Sequence, residues 1–244
     1  MRLRCQDSRS RAPQQRQAHW QLADTVGLLI PLEHSGSEAT GIHAYHWDVY
    51  RGNAEVWQGR AASETRLKAL AKPPRVLHLA TPGFYLPQHV AQAERPLTLS
   101  GLALAGANQG MQGQVNAAGD DGILYALEVQ HLNLQGTELV ALSACRTGQG
   151  AIDYTEGIYG LVRAFRVAGA RRVLMTLTNV DDADAERFML RFYANWLTSS
   201  ENPNRDPGLA LQQTRLAFLH DPDPDLHAPR FWTPYVLVET RVAR

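Results

Sequence analysis

Apolar and polar residues change rhythm along this chain, and the change marks where regular elements belong. The run Arg75-Val76-Leu77-His78-Leu79-Ala80-Thr81 is almost continuously apolar and stops at Pro82-Gly83, which predicts a buried strand. A second run, Leu139-Val140-Ala141-Leu142-Ser143 after Glu138, delivers Ala144-Cys145 into a loop holding Gly148 and Gly150. Over residues 157–168, Ile158, Leu161, Val162 and Phe165 recur at helical spacing, and Gly169 is placed as a left-handed cap. Residues 172–177 predict the next strand, and Asp181 and Asp182 occupy N-cap positions before a helix over 183–197. Asp206 as N-cap and Pro207 in the first turn open a further helix to about residue 220. A strand over 235–239 ends the pattern. Ahead of all these, Ser63 and Glu64 start a short helix that Pro73-Pro74 stops. Strand, loop, helix, strand, helix is the order of a mostly parallel sheet covered by helices, an α/β class.

The first quarter reads differently. Residues 1–18 carry Arg2, Arg4, Arg9, Arg11 and Arg16 among Ser and Gln, with too little apolar surface to fold, and are expected to be a disordered lead-in. Residues 19–58 hold short apolar pieces, such as Val26-Gly27-Leu28-Leu29-Ile30 and Tyr45-His46-Trp47-Asp48-Val49-Tyr50, which predict short strands and turns. The main domain is expected over 59–240.

Charge and composition narrow the classes of partner. The 24 Lys+Arg balance the 24 Asp+Glu, and 44% of residues are hydrophobic. That neutral balance offers no clustered positive charge to displace counterions, so neither nucleic acid nor an anionic membrane is expected as a partner. Two cysteines, Cys5 and Cys145, are too few for a disulfide framework, and no apolar stretch approaches a membrane span. A cytoplasmic location is the expectation. There is no phosphate-loop motif, and Gly148-Gln149-Gly150 lacks the later glycine of a dinucleotide fingerprint, so no cofactor is implied. His43 and His46 form an H-x-x-H pair without a nearby third ligand, and no metal is expected there. The pairs Asp120-Asp121 and Asp181-Asp182 read as turn and cap residues, and the Asp-Pro run of 221–225 as a solvated loop.

In an open parallel sheet the ligand crevice lies outside the carboxyl ends of the strands. Two such ends stand out, Ala80-Thr81-Pro82-Gly83-Phe84 and Ser143-Ala144-Cys145-Arg146-Thr147-Gly148. A cysteine beside Arg146 and a Gly-rich turn sits where a thiolate is stabilised, while a small apolar residue closing a buried strand is the commoner reason for a cysteine at a strand end. Position alone leaves both readings open.

Several segments in order resemble the CHAT family of caspase-like domains. They are residues 75–84, 102–108, Gly122-Ile123-Leu124 with Glu128-Val129, residues 138–148, Glu156-Gly157 and Arg163-Ala164-Phe165. Ala168-Gly169-Ala170, Asn179-Val180-Asp181-Asp182, Arg191-Phe192-Tyr193 and Phe231-Trp232 up to Val238 complete the series. The resemblance implies a caspase-like α/β/α sandwich with a mostly parallel central sheet and a cysteine-peptidase lineage, often found beside tetratricopeptide repeats. It makes Cys145 the nucleophile, with the N–H groups of Gly83 and Cys145 framing an oxyanion site.

The pattern departs from the family at one decisive position. Relatives read His-x-Ala-Thr-His-Gly, whereas this chain reads His78-Leu79-Ala80-Thr81-Pro82-Gly83, so Pro82 stands where the catalytic histidine belongs. Proline has no side-chain proton to transfer and no backbone N–H. His78 lies about 13 Å further down the strand and is expected to be a core histidine bonded to backbone. His89 and His131 are the substitute bases that loops could supply from elsewhere in the sequence. Thr178 replaces a family Trp, and the stretch before Gly59 is short for the family's first strands, as in a truncated or rearranged copy. The expectation is a catalytically impaired peptidase homologue kept as a regulatory or interaction module. Its partner is expected to be a protein or peptide, a tetratricopeptide-repeat protein among the candidates. The alternative is an active cysteine endopeptidase with Cys145 and a non-standard His base.

Overall fold

The computed structural model describes residues 28–52, 54–85, 100–143 and 154–239. In chain order the elements are α1 (Ser35–Tyr50), α2 (Glu64–Lys68), β1 (Val76–Ala80), β2 (Gly83–Tyr85), β3 (Ser100–Ala103), α3 (Ala107–Met111) and β4 (Ile123–Tyr125). They continue as α4 (Ala126–Val129), β5 (Leu139–Ser143), α5 (Tyr154–Val167), β6 (Arg172–Thr176), α6 (Asp182–Leu197), α7 (Pro207–Leu219) and β7 (Tyr235–Glu239).

The apolar strands assemble in the order β1-β5-β6-β7, with the first two pairings parallel and β6-β7 antiparallel. Side chains alternate across a strand, so the same runs feed two cores. Val140, Leu142, Val173 and Met175 face one core with Leu161, Val162 and Phe165 of α5. Leu139, Ala141, Leu174 and Tyr235 face the other with Phe188, Phe192 and Trp196 of α6 and Phe218 of α7. Helices on both faces of a mostly parallel sheet make the α/β class that the sequence pattern predicts and the α/β/α sandwich that the resemblance implies.

The capping chemistry falls where the sequence places it. Ser63 Oγ accepts Arg66 N–H, Asp181 accepts Ala183 N–H, and Asp206 accepts Leu209 N–H. Gly169 takes φ +114°, ending α5 in the left-handed region that glycine enters without steric cost. A second sheet, β2-β3-β4, is antiparallel and stands beside the carboxyl end of β1. The two sheets are joined there, because Thr81 Oγ1 donates to Ala103 O and Ala103 N–H donates to Pro82 O at 2.8 Å.

The short strands expected over 19–58 are corrected within the described part. Residues 35–50 form the long helix α1. Glu38, Ile42, Tyr45 and Val49 fall at i, i+4, i+7 and i+11, one helical stripe, and the last three join the core against α6. The aromatic and β-branched residues at 45–50 carry strand propensity, which packing against α6 overrides. Gly41 makes the close approach possible, since a Cβ there would stand 2.5 Å from Leu190 Cδ2. The lead-in 1–18 lies outside the described residues.

Candidate functional site

The carboxyl ends of β1 and β5 are level. Ala80 pairs with Ser143 as the last rung of their ladder. Pro82 is the second residue beyond one strand end and Cys145 the second beyond the other, so the positions to which the resemblance assigns base and nucleophile correspond. Pro82 is buried, and its carbonyl is engaged by Ala103 N–H. That bond makes Gly83–Leu102 a non-hydrogen-bonded pair of the antiparallel ladder, so Gly83 turns its own N–H away from β3. Cys145, the residues next to it and His89 lie outside the described residues.

Behind these strand ends is a buried polar cluster. Glu38 on α1 is 1% exposed, and its Oε2 accepts Ser143 Oγ–H at 3.0 Å. Its Oε1 lies 2.8 Å from His78 Nε2, off the line of a hydrogen bond. Tyr193 OH, from α6, is 3.3 Å from His78 Nδ1, and the two rings meet edge-on at 5.6 Å. Burial, with the Glu38 charge second, pushes the Tyr193 phenol far up, so it stays protonated as a donor. His78 is thus an inward-facing core histidine, as expected from its depth, but its partners are side chains rather than backbone. The cluster joins α1, β1, α6 and the end of β5, the strand that precedes Cys145 in the sequence.

Sequence reasoning missed Glu38 and Ser143. The one signal for them was a single carboxylate on the otherwise apolar stripe 38/42/45/49, which becomes visible only once a helix is assigned there.

His131 is placed elsewhere. Its Nδ1 meets Leu127 O at 3.1 Å just beyond α4. The chain that follows is tied to the turn before β6 by Leu134 N–H on Ala168 O and Gly136 N–H on Gly169 O, which is the amino end of β5. His131 is therefore not brought to the carboxyl end, where a base for Cys145 would act. His43 Nε2 meets Ala54 O at 3.3 Å, and His46 packs on Tyr50 with ring centroids 4.9 Å apart, so the H-x-x-H pair is spent on structure. Burial, then Arg75 and His43, hold His46 below the ordinary histidine value. Among the described residues no group of three or more His, Cys, Asp or Glu could hold a metal ion, and no helix is long and apolar enough to cross a membrane.

Helices on both faces of a mostly parallel sheet, an antiparallel last strand and the level carboxyl ends of the adjacent strands β1 and β5 define a caspase-like α/β/α protein. The chain belongs to the CHAT domain family, whose model matches residues 2–240. The match begins well before Gly59, so the N-terminal stretch falls within the family's span. No curated protein matches the chain.

Proposed function

We propose that this chain is a peptidase-lineage CHAT domain whose acid–base chemistry is impaired, and that it works as a regulatory or interaction module with a protein or peptide partner, a tetratricopeptide-repeat protein among the candidates. The observation that carries this is Pro82, two residues past the last rung of β1, where the family places its base. No described histidine takes over the role: His78 is bound into the Glu38 and Tyr193 cluster, and His131 sits at the amino end of β5. Without a base the thiol is not ionised and the leaving amine is not protonated, an effect on the order of 10²- to 10⁴-fold in rate. Cys145 is then a residual nucleophile or a packed residue.

The test is intact-mass labelling by an electrophilic peptide, with Cys145→Ala as the blank. Labelling is expected to be slow in the natural chain and faster in Pro82→His. Fast labelling and peptide turnover by the natural chain, lost in Cys145→Ala, would instead establish an active endopeptidase with another base, leaving His89 to be replaced next.

A further inference from the structure

Helix α5 turns a second pattern outward. Leu161, Val162, Ala164 and Phe165 fill its inner face, in the core shared with β5 and β6. On the opposite side Tyr159, Arg163, Arg166 and Val167 are exposed, and their helical spacing makes them one stripe. Tyr159 is 62% exposed and Val167 55%. Eight positions separate these two, about 12 Å along the axis, with the two arginines between them. Arg171, also exposed, adds to this side, because it precedes Val173 by two residues and side chains alternate along a strand. Arg172, on the other face, is bound to Glu239 at 2.7 Å, whereas Arg163 and Arg171 have no carboxylate partner among the described residues. Single exposed apolar side chains are ordinary, but tyrosine and arginine sharing one stripe are the residues that carry protein interfaces.

The charge of this face selects what can cover it, since arginine presents a fork of donors that carboxylates match. The rest of the chain is a poor source of them. Outside the described residues its carboxylates are Asp7, Asp24, Glu94 and Asp153, against nine arginines, and in no segment there do carboxylates outnumber arginines. A second copy is no better placed, because its acidic turn at the start of α6 is already engaged, Asp181 by Ala183 N–H and Asp182 and Glu186 by His34. The apolar ends favour a protein over a phosphate polymer, whose backbone would meet the arginines and leave Val167 against water. We propose that the outer face of α5 docks an acidic helix of another polypeptide, one that sets carboxylates between two apolar side chains about two turns apart. This deepens the interaction reading and rests on it for the existence of a partner, yet it stands on α5 and not on Cys145.

The probe is a synthetic helical peptide with four glutamates on one face between two leucines eight positions apart, titrated into the full chain and followed by backbone amide shifts in NMR. Shifts should gather at Tyr159, Arg163, Val167 and Arg171. Arg163→Glu with Arg171→Glu should weaken binding at least tenfold while the chain still unfolds cooperatively, and so should glutamine in place of the peptide's glutamates. Arg51→Glu with Arg187→Glu makes the same change of charge on the α1 and α6 face of the sheet and should leave binding unchanged. No shifts on α5 at saturating peptide overturn the proposal. Equal weakening by the Arg51 and Arg187 pair also overturns it, since net charge alone would then be read. Concentration-dependent shifts of the same amides without peptide would assign the face to a second copy, and tighter binding to phosphatidylserine vesicles than to the peptide would assign it to a lipid surface; either overturns it. Peptide turnover lost in Cys145→Ala would overturn the interaction reading without moving these shifts, so the two fail separately.

Discussion

Glu38 is a carboxylate withdrawn almost entirely from water and compensated by Ser143 and the His78 ring. Removing one partner of such a cluster leaves the others buried without compensation, which costs more than the contact is worth. Glu38→Ala should lower stability by about 3 kcal/mol or more. Ser143→Ala should cost about 1 kcal/mol, the ordinary worth of one hydrogen bond. Urea denaturation of both variants checks this, and equal losses would mean that Glu38 contributes only its bond to Ser143. Pro82 was legible at this scale because its consequence is local: a ring without a proton or an N–H needs no tertiary partner to be read. Glu38 was not legible, because Ser143 is 105 positions away and nothing in the local pattern joins them.

Elements form here where local chemistry and packing agree. The second sheet is placed by Gly122, which takes φ +78° immediately before β4, and whose added Cβ would stand 2.5 Å from Ala107 N at the start of α3. Gly136 also has a positive φ, +88°, but open space around it. Gly122→Ala should therefore cost several-fold more than Gly136→Ala, for which only about 1 kcal/mol of left-handed strain is expected. Comparable urea midpoints for the two variants would show that the 122 turn relaxes freely. The strands β1, β5, β6 and β7 and the caps Ser63, Asp181 and Asp206 were readable from sequence because each depends on neighbours within a few residues. Helix α1 was misread as strands, since its stripe contains a carboxylate and its close contact relies on Gly41, which counts against a helix until Leu190 is beside it.

Three groups act on stability near neutral pH, Glu64 and His34 in one sense and His46, held below the ordinary histidine value by burial, in the opposite one. Burial lifts the Glu64 carboxyl to about 7, against the opposing pull of Lys68, which also bridges Asp120 at 3.1 Å and Glu128 at 2.9 Å. Glu64 Oε2 accepts Gly122 N–H, so this cluster ties α2 to the turn before β4. A raised carboxyl is protonated in the folded chain before it is in the unfolded one, so its effect makes stability rise as pH falls from about 7 toward the ordinary carboxylate range. His34 acts in the same sense. Its contact with Glu186, 2.7 Å away, raises its pKa, so its contribution is complete below the ordinary histidine value and is lost as pH rises through the raised one. The melting temperature should be higher at pH 5.5 than at pH 8, with Glu64 outweighing the opposite effect of His46, and Glu64→Gln should remove most of the slope. A melting temperature that falls on acidification across this window would contradict the assignment.

The sequence by itself determined the strands of the four-stranded sheet and the helices after β5, the caps at Ser63, Asp181 and Asp206, the proline at position 82 and the resemblance to the CHAT family, all carried by short-range patterns or by residue identity. Tertiary structure alone decided that residues 35–50 are a helix, that Glu38, His78, Ser143 and Tyr193 meet behind the strand ends, and that His131 lies at the far end of β5. The division has a physical cause. Periodicity and capping are set by bonds spanning three or four residues, whereas the cluster depends on which distant segments pack together, and side-chain polarity read along the chain does not encode that partnership.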